Sequence, residues 1–163
     1  MKVKQYTLLI NVNYIDKEIK IMVAKQLSVF IENRQGRLGE VLNVLKSNKV
    51  NILSLSLADT TEYGLLRLIV NNPELGKEKL AEEGFSTMLT DVIVLKITHQ
   101  AGSLQGLLKI LSDEDINVEY MYGLSIDGDE ASVMLKTSDI KKAESVFDKQ
   151  NVKMLSSSDI ASL

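Results

Sequence analysis

Apolar and polar positions along the chain change period several times, and each change marks an element. Leu27, Val29 and Ile31 alternate with their neighbours, the period of a strand with one face buried. Past the polar loop Asn33-Arg34-Gln35-Gly36, the residues Leu38, Val41, Leu42 and Leu45 recur at i, i+3, i+4 and i+7, which predicts a helix whose apolar stripe faces a core. Ile52–Asp59 and Leu65–Asn71 read as two strands, with Thr60–Gly64 as the polar turn between them. Asn72 offers an N-cap and Pro73 the first position of a second helix, running to about Glu83, with Gly76 as its weak point. A strand near Phe85–Thr90 closes a βαββαβ unit.

The same grammar follows again. Strand Val92–Thr98, helix Ser103–Asp113, and strands Asn117–Ile126 and Glu130–Thr137 around the hairpin turn Asp127-Gly128-Asp129 come first. Helix Asp139–Lys149, with Ile140, Ala143, Val146 and Phe147 on one face, and strand Val152–Ser156 complete the second unit. Sliding the sequence by 66 residues superposes Gln26–Asp91 on Val92–Ser157 without a gap. Gly36 then meets Gly102, Leu42 meets Leu108, Asn51 meets Asn117, and Met88-Leu89 meets Met154-Leu155. The predicted fold class is α+β: two equivalent halves, 24–90 and 91–163, each a four-stranded antiparallel sheet with two helices on one face. Residues 1–23 stand outside the repeat. The apolar stretch Tyr6–Val12 is either an extra strand or arm, or part of a leader left by a start codon set too early, with Met22 as the true first residue.

Composition narrows the function classes. Nineteen Lys and Arg against twenty-two Asp and Glu leave a net charge of −3, which supplies no positive field for a phosphate backbone, so no nucleic-acid partner is expected. Without Cys there are no disulfides, thiolate metal sites or Cys nucleophiles. Apolar runs are too short to span a bilayer or to form a signal-peptide core, so no membrane partner is expected and the default compartment is the cytoplasm. One His cannot build a His-rich metal cluster, and neither a metal nor a cofactor is expected.

Catalytic groups are scarce. His99, the single imidazole, sits in a loop with no Ser or carboxylate at a motif spacing; it is either a solvated loop residue or a hydrogen-bonding partner for a ligand. The acidic run Asp113-Glu114-Asp115 reads as a solvated helix terminus. Gly36 and Gly102 each stand between a strand and the first turn of a helix, where main-chain N–H groups lack internal partners and a ligand carboxylate would be favoured, although a tight turn needs Gly regardless. Arg67 is a lone charge in an apolar strand, with Val133 as its repeat partner at an offset of 66. It is open to three roles: anchoring a ligand carboxylate, crossing the seam between the halves, or snorkelling at an edge. Tyr120 and Tyr122 replace Ser54 and Ser56 of the first copy and either pack in a core or line a pocket on an asymmetric seam.

The stretch Glu32-Asn33-Arg34-Gln35-Gly36-Arg37-Leu38, a helix, and then Val50-Asn51-Ile52 opening a strand resemble the ACT domain, whose loop usually carries an acidic or Asn residue, a Pro-Gly and an apolar residue. Gln35 and Ala101 stand where Pro is usual. The second copy, His99-Gln100-Ala101-Gly102-Ser103-Leu104 with Ile116-Asn117-Val118, is similar but further from the pattern. The resemblance covers about residues 24–160. It implies two tandem ferredoxin-like ACT units paired side by side, acting as a regulatory module that binds an amino acid at the seam. Carried over by position, the site would comprise Asn33, Gln35, Gly36, Arg37, Leu38 and Asn51 in one copy, and His99, Ala101, Gly102, Ser103, Leu104 and Asn117 in the other, with Tyr120 and Tyr122 on the seam. The partners so implied are a small-molecule ligand, a regulated enzyme and a second copy in a homodimer. The competing expectation is an assembly or docking module without a ligand.

Overall fold

The computed structural model describes residues 22–59 and 62–162, so both readings of the segment before Met22 lie outside the described residues. The first unit runs β1 (Val23–Glu32), α1 (Arg37–Ser47), β2 (Ile52–Asp59), β3 (Tyr63–Val70) and α2 (Pro73–Glu82) into β4 (Ser86–Thr98). The second continues from β4 through α3 (Ser103–Asp113), β5 (Val118–Asp127), β6 (Glu130–Thr137), α4 (Ile140–Lys149) and β7 (Met154–Leu155) to a short α5 (Ser157–Ala161). Both predicted βαββαβ units are present, and they lie side by side.

The join is closer than two abutting sheets. β4 is a single strand of 13 residues: its first part pairs antiparallel with β1, and Ile93–Thr98 pairs with β6. The expected boundary between residues 90 and 91 therefore falls inside one strand, and the described strands form one sheet in the order β2-β3-β1-β4-β6-β5, with β7 against β4 beyond the end of β1. Lys25 and Asp91 occupy equivalent places in the two copies and sit opposite each other in the β1–β4 ladder, ion-paired at 2.5 Å, so the approximate two-fold relation between the halves passes between them.

Local sequence accounts for the helices. Asn72 caps α2 by accepting from Leu75 N–H at 3.1 Å, and Asp139 caps α4 by accepting from Lys142 N–H at 2.9 Å. α1 and α3 instead begin at Gly36 and Gly102, in the left-handed region at φ 90° and 92°. Gly76, expected to weaken α2, has a packing role: a Cβ there would lie 3.0 Å from Leu27 Cδ2, so its absence lets α2 approach the sheet.

Burial divides the interior into three. Leu27, Val29, Val41, Leu45, Leu66, Leu68 and Leu80 fill the space under α1 and α2, and Ile93, Leu95, Leu107, Leu111, Leu135 and Phe147 fill that under α3 and α4. The expected stripe on α1 needs correction, because Leu42 is 36% exposed while Val41 and Leu45 carry the packing. The third cluster, Ala24, Ile69, Val92, Val94, Met134, Leu155 and Ile160, lies on the face of the sheet opposite α1–α4, with Ile160 supplied by α5. The sheet curls around it until β2 touches β5, where the Ser54 hydroxyl donates to the Gly123 carbonyl at 2.8 Å.

The curl exposes an error in the gapless repeat. β5 carries an extra irregularity between Gly123 and Ser125, absent from β2. Before it, equivalent residues are 66 apart, as Ser28 and Val94 are; after it they are 67 apart, for Arg67 pairs with Ser28 and Met134 with Val94. The structural counterpart of Arg67 is thus Met134 and not Val133. Likewise Met88, opposite Ser28, corresponds to Leu155, opposite Val94, and not to Met154.

Candidate functional site

The sequence singled out two loops, two Asn residues and two Tyr residues, and the structure sorts them into separate places. The loops leave β1 and β4, which are antiparallel, so they lie at opposite ends of the shared strand, up to about 40 Å apart along it. They share one geometry. Neither Gly36 nor Gly102 provides a side-chain cap; the first helical bonds are Glu40 N–H to the Gly36 carbonyl and Gly106 N–H to the Gly102 carbonyl, both at 3.0 Å. The N–H groups of Leu38, Gly39, Leu104 and Gln105 have no acceptor among the described residues. A Cβ on either Gly would meet nothing within 4 Å, so what these positions require is the left-handed backbone and not closeness to a neighbour.

Their electrostatics differ. In the first loop Arg34 pairs with Glu32 at 2.7 Å, while Arg37 pairs with Glu40, lies 3.2 Å from Glu32 and stacks 4.2 Å above the Phe85 ring. The Arg34 hydrogen bond, helped by the charges of Arg34 and Arg37, holds the Glu32 carboxyl below the usual carboxylate range. Both cations of this loop are thus engaged. Asn33 and Gln35 are exposed and Leu38 is half-buried. In the second loop His99 and Ala101 are exposed, Ser103 is half-buried and Leu104 is 38% exposed; the His99 N–H donates to the Asp129 carbonyl at 2.7 Å, which ties the loop to the β5–β6 turn.

Asn51 and Asn117 are not beside the loop of their own copy. β2 runs parallel to β1, so Asn51 starts its strand at the far end, where its main chain exchanges hydrogen bonds with Asn71. Asn117 does the same with Ser138. Each lines a shallow groove between a helix and the start of a strand, shaped by Leu42 and Ile52 in one copy and Leu108 and Val118 in the other.

Tyr120 and Tyr122 point into the third cluster, at the seam. Gln26, fully buried on β1, donates through Nε2 to the Tyr120 hydroxyl and to Ser28 Oγ, both at 3.0 Å, and its Oε1 accepts from the Tyr122 hydroxyl at 3.0 Å. Burial pushes the Tyr122 phenol well above its usual range, the neighbouring Tyr120 adds to that, and Arg67 opposes it. Arg67 crosses from the first half and lays its guanidinium 4.2 Å above the Tyr120 ring. This is the seam-crossing role that the sequence left open. Gln26 was missed, since an alternating polar residue in a strand reads as solvent-facing until a second layer covers it.

No group of three His, Asp or Glu residues among those described could hold a metal ion, and no described helix is long and apolar enough to cross a membrane. The model of a family described as an ACT domain pair matches residues 22–163. The chain belongs to that family. Among solved structures, protein BT0572 from Bacteroides thetaiotaomicron is similar to this ACT domain pair at 36% identity and a TM-score of 0.83, over 87% of this chain and 98% of that one. The ligand-free regulatory subunit of aspartate kinase from Thermus thermophilus shares the fold at 14% identity and a TM-score of 0.58, over 77% and 92% of the two chains. The regulatory subunit of aspartate kinase from Thermus flavus does so at 15% identity and 0.54, over the same shares. No curated protein matches the chain.

Proposed function

We propose that this ACT domain pair is a non-catalytic regulatory module that binds an amino acid at the seam between its halves. The observation that carries the reading is the polar group of Gln26, Tyr120, Tyr122 and Arg67 where the halves meet, in a region otherwise packed with aliphatic side chains. Membership of the ACT family and the likeness in fold to two proteins titled as regulatory subunits of aspartate kinase support it. A ligand that prefers one arrangement of the halves shifts the equilibrium toward it, and a bound enzyme would sense that shift. Of the loop residues Asn33, Gln35, Gly36, Arg37 and Leu38, and His99, Ala101, Gly102, Ser103 and Leu104, the main-chain donors of Leu38 and Leu104 at the two helix starts are further contact points, each outside the seam.

Thermal-shift screening of the twenty amino acids tests the reading. One of them, at about a hundred times its dissociation constant, should add roughly 2.7 kcal/mol of stability; an unmoved melting curve with all twenty rejects amino-acid sensing. Gly36→Val and Gly102→Val then report whether a loop takes part, through loss of the ligand-induced shift. A second reading, an assembly or docking module, is favoured by Leu55 and Leu57, 51% and 47% exposed on the edge strand β2. Sedimentation equilibrium that shows a dimer insensitive to amino acids would favour it.

A further inference from the structure

The seam is asymmetric about the approximate two-fold axis. The positions equivalent to Gln26 and Arg67 are Val92 and Met134, both fully buried, and those equivalent to Tyr120 and Tyr122 are Ser54 and Ser56. All four members of the polar group are therefore departures from the repeat. The Val92–Met134 side shows that this backbone closes over aliphatic side chains without hydrogen bonds between them. Taking an amide, two phenols and a guanidinium out of water is costly unless they are fully partnered, so closure of the sheet alone does not call for them.

Partnering within the group is incomplete in one direction. Gln26 uses both amide N–H donors and accepts from Tyr122. The Tyr120 hydroxyl accepts from Gln26 and gives its own proton to no described residue. Arg67 is half-buried and forms no ion pair and no hydrogen bond with any described residue; its contact is the face of Tyr120. The other two arginines of the chain, Arg34 and Arg37, are both paired with carboxylates. What the seam presents is a planar set of guanidinium donors, held flat by an aromatic ring, with one further hydroxyl donor beside it and Ser56 directly across the strand pair. That donor set matches a carboxylate, which a guanidinium binds through two parallel hydrogen bonds.

We propose that Arg67 anchors the carboxylate of a free amino acid at the seam, with Tyr120 holding the guanidinium plane and donating its hydroxyl proton. This deepens the reading above and rests on it. Since Tyr120 comes from the second half and Arg67 from the first, a ligand held there would touch both.

The test is isothermal titration of the full chain with each amino acid that shifts the melting curve, and with its carboxamide counterpart, using wild type, Arg67→Met and Arg67→Lys. Arg67→Met copies the residue that the fold already carries at the equivalent place, and Arg67→Lys keeps the charge while losing the fork. The expected result is that Arg67→Met and the carboxamide each weaken binding about tenfold or more, as loss of a charge-assisted contact does, and that Arg67→Lys falls between, with melting temperatures of the free variants near wild type. The chain has no Trp, so a change in tyrosine emission on binding, lost in Tyr120→Phe, gives a second readout at the seam. If the amino acid binds wild type and both Arg67 variants equally, the anchor is overturned while amino-acid sensing stands. If no amino acid binds wild type, both fall. If Arg67→Met fails to fold, unchanged affinity in Arg67→Lys together with unchanged affinity for the carboxamide overturns the anchor.

Discussion

Single residues in the left-handed region set where this chain turns. Lys49, Asp115 and Asn151 follow α1, α3 and α4 at φ 56°, 56° and 55°, and Gly84 does the same for α2 at 82°. A Cβ in that region costs roughly 1–2 kcal/mol, so Lys49→Gly and Asp115→Gly should each raise stability by about 0.5–1 kcal/mol, read as a higher urea midpoint. Gly36→Ala and Gly102→Ala should do the reverse by roughly 1–2 kcal/mol although their surroundings are open; unchanged midpoints would mean that these loops relax to another conformation. Tyr122 adds a pH dependence. Its folded-state pKa is raised, so its contribution is complete below the unfolded value near about 10 and is lost as pH rises beyond it. Urea midpoints of wild type should therefore fall faster above about pH 10 than those of Tyr122→Phe. At this scale Gly36, Gly102, Arg67 and the two Tyr were legible, because each breaks a local pattern. Lys49 was not, since Lys does not announce a positive φ, nor was Asp115, whose acidic run read only as a helix end, and Gln26 is buried by Tyr120, 94 positions along the chain.

At the scale of elements, hydrophobic period predicted the helices α1–α4 and the strands, but it split β4 in two and did not predict α5, and what it could not supply was depth. Leu42 and Leu45 belong to one stripe in the sequence, yet Leu45 is 1% exposed and Leu42 36%, since Leu42 borders the shallow groove beside Asn51 and Ile52. Leu45→Ala should cost about 2–5 kcal/mol and Leu42→Ala roughly 1 kcal/mol or less, measured by chemical denaturation; equal losses would show that Leu42 packs in solution as the sequence pattern implied. Register was hidden for a related reason. An inserted residue at the Gly123–Ser125 irregularity changes the offset by one, and the apolar pattern on either side tolerates a slip of one wherever neighbouring positions are both apolar, as at Met154 and Leu155. The short acidic run at the end of α3 read correctly as a helix terminus: Lys109 pairs with Asp113 at 2.7 Å, and the Lys142 ammonium donates to the Glu114 carbonyl.

For the molecule as a whole, the shared strand decides how the halves depend on each other. In two abutting domains, destabilising one leaves the other standing. Here β4 supplies Leu89 to the first core, Ile93 and Leu95 to the second, and Val92 and Val94 to the third. Unfolding the first half would strip β1 from β4 and expose the third cluster, to which the second half contributes Val94, Met134 and Leu155. The chain should therefore unfold in one transition, with calorimetric and van't Hoff enthalpies equal. A sharper form uses a substitution confined to the first core. Leu45→Ala, far from α3 and α4, should lower hydrogen-exchange protection of Leu107, Leu111 and Phe147 by the same free energy as that of Leu66 and Leu68, because both sets exchange through one global opening. Protection lost only at Leu66 and Leu68 would mean that β4 can part at its middle, near Asp91, leaving two independent halves. In that case a ligand bridging Arg67 and Tyr120 could not bias them as a unit.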